Sequence, residues 1–118
     1  MGKVLFYKPD VGWCGDFIPF WHDGRFYLYY LKAFRNDPVY GEGTPWYAIS
    51  TTDFVHFTEH GEIIARGSRE EQDLYVFTGS AFHDGNQFHI FYTGNNPRYP
   101  ELGYHMQGVM HAVGSSPL

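Results

Sequence analysis

An all-β chain of repeated propeller blades is the fold predicted by the sequence, on three observations. Aromatic residues make up 20% of the 118 residues and charged residues only 18%, a balance that suits half-buried sheets and excludes a disordered tail or a coiled coil. Short runs of Phe, Tyr, Ile, Val and Trp are separated by turns containing Gly, Pro and Asp. The chain also repeats itself. Ala81-Phe82-His83-Asp84-Gly85 and Phe88–Tyr92 mirror Pro19-Phe20 through Tyr30, with His22 to His83 offset by 61 and Phe26 to Phe88 by 62. Self-similarity at such a period in a β-rich chain points to four-stranded blades.

The elements follow in order. Phe17–Trp21 is a short apolar strand, and Pro19 within it indicates an edge position or a bulge. Asp23-Gly24 is a hairpin turn, because Gly accepts positive φ and Asp tolerates it. Arg25–Leu31 is the second strand. A polar loop runs over 32–45, carrying Asn36-Asp37-Pro38 and Gly41-Glu42-Gly43. Trp46–Ser50 is the third strand, Thr51-Thr52-Asp53 a turn, and Phe54–Phe57 the opening of a fourth that continues through Glu62–Ile64. The 68–73 stretch is too short and polar to be more than a turn. In the second unit His111–Ser116 aligns with Tyr47–Thr52 at an offset of 64, one residue is expected to be inserted at the hairpin turn, and no fourth strand follows. The expectation is one complete blade over about 13–66 and one incomplete blade over about 73–118, as a fragment of a larger propeller, since closure takes roughly 4 to 8 blades. A complete seven-stranded sandwich is the alternative.

Eight Lys and Arg against thirteen Asp and Glu leave a formal charge of −5, which removes any electrostatic drive toward nucleic acid or an anionic membrane. No uncharged run approaches the roughly 18 residues of a membrane span. Cys14 is the single cysteine, and the opening Met-Gly-Lys-Val-Leu-Phe-Tyr-Lys-Pro lacks a secretory apolar stretch. A cytoplasmic chain from a reducing compartment is expected. His22-Asp23 and His83-Asp84 recur at hairpin corners without the spacing of a zinc site, so neither metal nor cofactor is expected.

Asp16, beside Trp13 and Phe17, carries the chemical signal. An indole face stacks on sugar C–H groups, and a carboxylate attacks or stabilises an anomeric carbon. Trp13-Cys14-Gly15-Asp16 and the following Phe20–Tyr30 resemble the opening of the five-bladed propeller glycoside hydrolases, closest to glycoside hydrolase family 32, the β-fructosidases. Family 43, the arabinosidases and xylosidases, shares the architecture. Trp46-Tyr47-Ala48-Ile49-Ser50-Thr51-Thr52-Asp53-Phe54-Val55-His56-Phe57 and Phe77-Thr78-Gly79-Ser80-Ala81, with Phe91-Tyr92-Thr93-Gly94, resemble further family-32 segments.

The resemblance implies a carbohydrate substrate, specifically a terminal non-reducing β-fructofuranoside of sucrose, levan or inulin type. It implies Asp16 as nucleophile, Trp13, Trp46, Phe77 and Thr78 lining the sugar pocket, and Asp73 at the pocket rim. Two positions depart from the family pattern. Gly15 replaces an Asn, and Phe17-Ile18-Pro19 replaces Pro-Asn-Gly, which keeps family 43 open, with Asp16 as the base of an inverting reaction. The family's Arg-Asp-Pro and Glu-Cys carboxylates have no convincing match here. Arg35-Asn36-Asp37-Pro38 reads as a loop turn, and Glu42 is a weak substitute. Hydrolysis needs two carboxyl groups across the scissile bond, so the isolated chain is expected to be inactive. A non-catalytic sugar-binding or structural module, able to self-associate through exposed sheet edges, is the alternative of a different class.

Overall fold

The computed structural model describes every residue from 1 to 118 and contains two antiparallel sheets. The first is a four-stranded meander in chain order: β1 (Trp13–His22), β2 (Arg25–Ala33), β3 (Trp46–Thr51) and β4 (Thr58–Ile64). The second holds β5 (Tyr75–His83), β6 (Phe88–Asn95) and β7 (Gln107–Gly114), with one turn of 3-10 helix at Tyr99–Leu102. No helix is long and apolar enough to cross a membrane.

Turn chemistry explains the connections. His22 pairs with Arg25 across a two-residue turn, where Asp23 and Gly24 have φ of 49° and 78°, the left-handed geometry that matches strand twist. The corresponding pair His83 and Phe88 closes a four-residue loop, so the insertion at this turn is two residues rather than the single one expected. The Asp84 carboxylate accepts the Asn86 and Gln87 amides at 2.7 Å each. The fourth strand does not open at Phe54. Asp53 Oδ1 accepts the Val55 and His56 amides at 2.9 and 2.8 Å, and Thr51 Oγ1 accepts that of Phe54 at 2.9 Å. These side-chain bonds curl 53–56 into a turn, and pairing resumes only at Thr58.

The core lies between the sheets. Ile18, Tyr27, Tyr29, Trp46 and Ala48 from the first meet Val76 and Tyr92 from the second. Alternation along each strand selects these residues, since every second side chain shares a face. The N-terminal segment, residues 1–12, crosses the opposite face of the first sheet without regular structure, its Tyr7 ring 5.7 Å from Tyr30 and 5.1 Å from Phe57. On the second sheet the outward face stays open, with Phe82, Phe91, Val109 and Val113 exposed.

Close strand approach leaves no room at Gly79. A Cβ there would collide with the Phe91 carbonyl and sit 2.6 Å from Tyr92 Cα. Gly79→Ala is expected to lose about 1–3 kcal/mol or more through forced backbone shifts, read by thermal unfolding; an equally stable variant would contradict this packing.

Candidate active site

The site starts from an irregularity in β1. Gly15 pairs with Leu31 and Ile18 with Tyr29, so Asp16 and Phe17 together oppose the single residue Tyr30. This extra residue is a β-bulge, a device that re-aims side chains at sheet edges and functional sites. Asp16 has φ of 50°, a left-handed conformation that Asp tolerates better than most residues. Its side chain is exposed. The same irregularity recurs in β5. Val76 pairs with Gly94 and Gly79 with Tyr92, so Phe77 and Thr78 oppose Thr93. Three of the residues nominated from the sequence therefore occupy equivalent bulges on the first strands of the two sheets, and β1 runs against β5.

Trp13 opens β1 at the same end and is 61% exposed. The Arg35 guanidinium lies 4.7 Å from its ring centroid, a cation–π contact that the sequence reading missed, because Arg35 is distant in sequence and sits in a loop. Arg35 and Asn36 both have positive φ, and Asn36 Oδ1 accepts the Tyr75 hydroxyl at 3.2 Å, tying this loop to the second sheet. Asp37 Oδ1 accepts the Val39 amide at 2.9 Å, the geometry of an Asx turn.

Asp73 is half-buried, and its Oδ2 accepts the Tyr92 hydroxyl at 2.7 Å. Burial, and secondarily the Asp73 carboxylate, push the Tyr92 phenol far above its ordinary value, so it remains the donor in this bond. Trp46 takes a different place from the pocket wall expected of it. It is 0% exposed, packed between the sheets, and its Nε1 donates to the Phe77 carbonyl at 3.0 Å. An indole enclosed on all sides has no surface for a sugar; it anchors the bulge of β5 instead. Glu42 is likewise engaged elsewhere. Its carboxylate accepts from Arg98 at 2.9 Å and faces Arg69 at 3.4 Å, and the Arg98 hydrogen bond holds it below the usual carboxylate range, the opposite of what a proton donor at neutral pH requires.

Far from this end, His60 Nε2 lies 2.6 Å from Ser50 Oγ, which also accepts from Arg25 at 3.3 Å. The hydroxyl has one proton and two lone pairs, so it can give that proton to His60 or accept from it, according to the imidazole tautomer. Burial, then Arg25, lowers the His60 pKa. The unfolded chain therefore binds a proton on this ring at higher pH than the folded chain does. Stability is expected to fall as pH drops below about 6.5, with a further decline below about 4 as Asp53 and Asp84, both depressed by hydrogen bonds, take up protons. Melting temperature against pH checks this, and His60→Gln should flatten the upper step alone.

Two adjoining antiparallel sheets with bulged first strands carry Asp16 in one bulge and the exposed Trp13 on the same strand, and their fold is that of the β-propeller glycoside hydrolases. Solved structures of that class share the fold. A fructofuranosidase of Schwanniomyces occidentalis matches with a TM-score of 0.66 at 19% identity over 93% of this chain and 23% of that one. Fructan 1-exohydrolase IIa of Cichorium intybus matches with 0.61 at 21% over 78% and 17%. A thermostable family-43 glycoside hydrolase matches with 0.56 at 19% over 94% and 33%. Residues 6–113 match the family described as "Glycosyl hydrolases family 32 N-terminal domain", and the chain belongs to glycoside hydrolase family 32. It is also 43% identical over 61 residues to the sucrose-6-phosphate hydrolase of Vibrio alginolyticus, a stretch covering 49% of this chain and 12% of that protein. The chain thus spans a small part of the length of the relatives it matches.

Proposed function

We propose that this chain carries the nucleophile half of a retaining fructoside hydrolase, with Asp16 attacking the anomeric carbon of a terminal β-fructofuranoside. The observation that carries the reading is the pair of matching bulges, which sets Asp16 on β1 and Phe77 with Thr78 on the neighbouring β5. Trp13 supplies a stacking face, and Asp73, oriented by Tyr92, supplies a hydrogen-bond acceptor for sugar hydroxyls. The two sheets are the first blade, about 13–66, and an incomplete second blade, about 73–118, of a five-bladed propeller.

Attack from Asp16 forms a glycosyl–carboxylate ester as the bond to the leaving oxygen breaks. Water then cleaves that ester, with net retention. Protonation of the leaving oxygen needs a second carboxyl group with a raised pKa, and Glu42, held by Arg98 and Arg69, does not supply it. The chain by itself is therefore expected to be inert toward fructosides. The likeness to a sucrose-6-phosphate hydrolase, a fructofuranosidase and a fructan exohydrolase favours sucrose, fructan or sucrose 6-phosphate as the substrate class, and family membership favours retention over the inversion of family 43. The lone Cys14 fits a reducing, cytoplasmic setting. Exposed edges and the open face at Phe82, Phe91 and Val109 favour association with further sheets, another copy included. The deciding experiment is Asp16→Asn in a propeller completed with its remaining blades, where hydrolysis of fructosides should disappear while folding persists.

A further inference from the structure

Each sheet has two edge strands, and three of the four are blunted. β1 carries the Asp16 bulge and Pro19, β5 carries its own bulge and runs against β1, and β4 pairs with β3 through two irregularities and bears Glu59 and Glu62. Bulges, proline and charge keep an edge from pairing with another chain. β7 has none of them. Its eight residues lie in unbroken register on β6, from Gln107 opposite Asn95 to Gly114 opposite Phe88, and no strand pairs its other side. We propose that β7 is a self-association edge, on which the β7 of a second copy of this chain pairs antiparallel about a two-fold axis at His111.

The strand's own sequence selects that occupant. Gly108-Val109-Met110-His111-Ala112-Val113-Gly114 reads nearly the same in both directions from His111. A two-fold interface brings residue i onto j and j onto i, so a strand suits its own copy where its two halves match. Here Val109 stands opposite Val113 of the second copy, Gly108 opposite Gly114, and the long Met110 opposite the small Ala112. Residues an even number apart share one face of a strand. The pairing therefore keeps Met110 and Ala112 on the side packed against the core and Val109 and Val113, 82% and 55% exposed, together on the outer side.

The edge is open to receive it. The two sheets approach each other through β1 and β5, and β7 is the opposite edge of the second sheet. No Lys, Arg, Asp or Glu lies along β7, so none of these sets like charges against each other across the axis. The His111 ring is held toward β6, its Nε2 2.9 Å from Nδ1 of His89, whose Nε2 lies 2.7 Å from Asp84 Oδ2. Pairing joins the two three-stranded sheets into a continuous one of six, an ordinary sheet size. The inference rests on the reading above that open edges favour association, and is independent of the role given to Asp16.

The test is sedimentation of the 118-residue chain across a concentration series, with backbone hydrogen exchange. A monomer–dimer equilibrium with Kd of about 1 mM or tighter is expected, and exchange should slow with concentration at the amides of 107–114 that β6 does not hold. Val109→Lys should weaken association by roughly tenfold or more while leaving the fold untouched, since Val109 is 82% exposed. Val39→Lys, at an equally exposed residue of the loop before β3, should not. Val109→Lys combined with Val113→Glu should restore association, because the register sets positions 109 and 113 of the two copies opposite each other. A chain that stays monomeric throughout would overturn this proposal and the wider reading of open edges together. Unchanged association in Val109→Lys, no recovery in the double variant, or protection of those amides that does not depend on concentration would overturn the β7 pairing alone.

Discussion

Trp46→Ala is expected to destabilise the chain by about 3–5 kcal/mol, the range for removing a fully buried large aromatic side chain. The indole is 0% exposed and lies against Tyr29 and Tyr92, with ring centroids 6.1 and 6.2 Å away. Its loss leaves a void between the sheets and deprives the Phe77 carbonyl of its donor. A single domain of this size has a total stability of only about 5–15 kcal/mol, so the variant should populate unfolded chain at moderate urea concentrations. Trp46→Phe separates the two contributions. It keeps most of the apolar contact and removes only the hydrogen bond, and should cost about 1–3 kcal/mol. Urea unfolding followed by circular dichroism reads both. A Trp46→Ala variant within about 1 kcal/mol of the parent would show that the sheets do not pack through this residue.

The second large effect is on turnover. Asp16→Asn in the completed propeller should lower kcat by about 10³-fold or more, because an amide is a poor nucleophile and cannot form the ester intermediate. Stability should be unchanged. The Asp16 carboxylate forms no hydrogen bond within the chain, and Asn tolerates the left-handed φ of 50° at this position. An unchanged melting temperature together with lost hydrolysis therefore separates a chemical role from a structural one. Undiminished hydrolysis would mean that another carboxylate is the nucleophile.

Much of this arrangement is legible in the sequence. The Asp23-Gly24 hairpin follows from turn chemistry alone, and Pro19 pointed to an edge or a bulge. It lies on β1, an edge strand that carries a bulge just before it. Phe54–Phe57 misled because their side chains have strand propensity, whereas Asp53 and Thr51 satisfy the backbone amides first and hold a turn. Trp46 misled for another reason. A tryptophan in a sugar-binding family serves equally well as a stacking platform or as core, and only its neighbours distinguish the two.

By itself the sequence determined most of the strands, their alternating faces, the Asp23-Gly24 turn and the two-unit repeat, because these arise from contacts between residues near one another along the chain. Only the tertiary structure decided that Asp16, Phe77 and Thr78 fall in paired bulges, that Trp46 is enclosed, and that Glu42 is held by Arg98 and Arg69. A bulge exists only relative to the partner strand that lacks the extra residue, and burial only relative to the sheet that covers it. Both depend on residues tens of positions apart whose meeting is set by packing rather than by local preference.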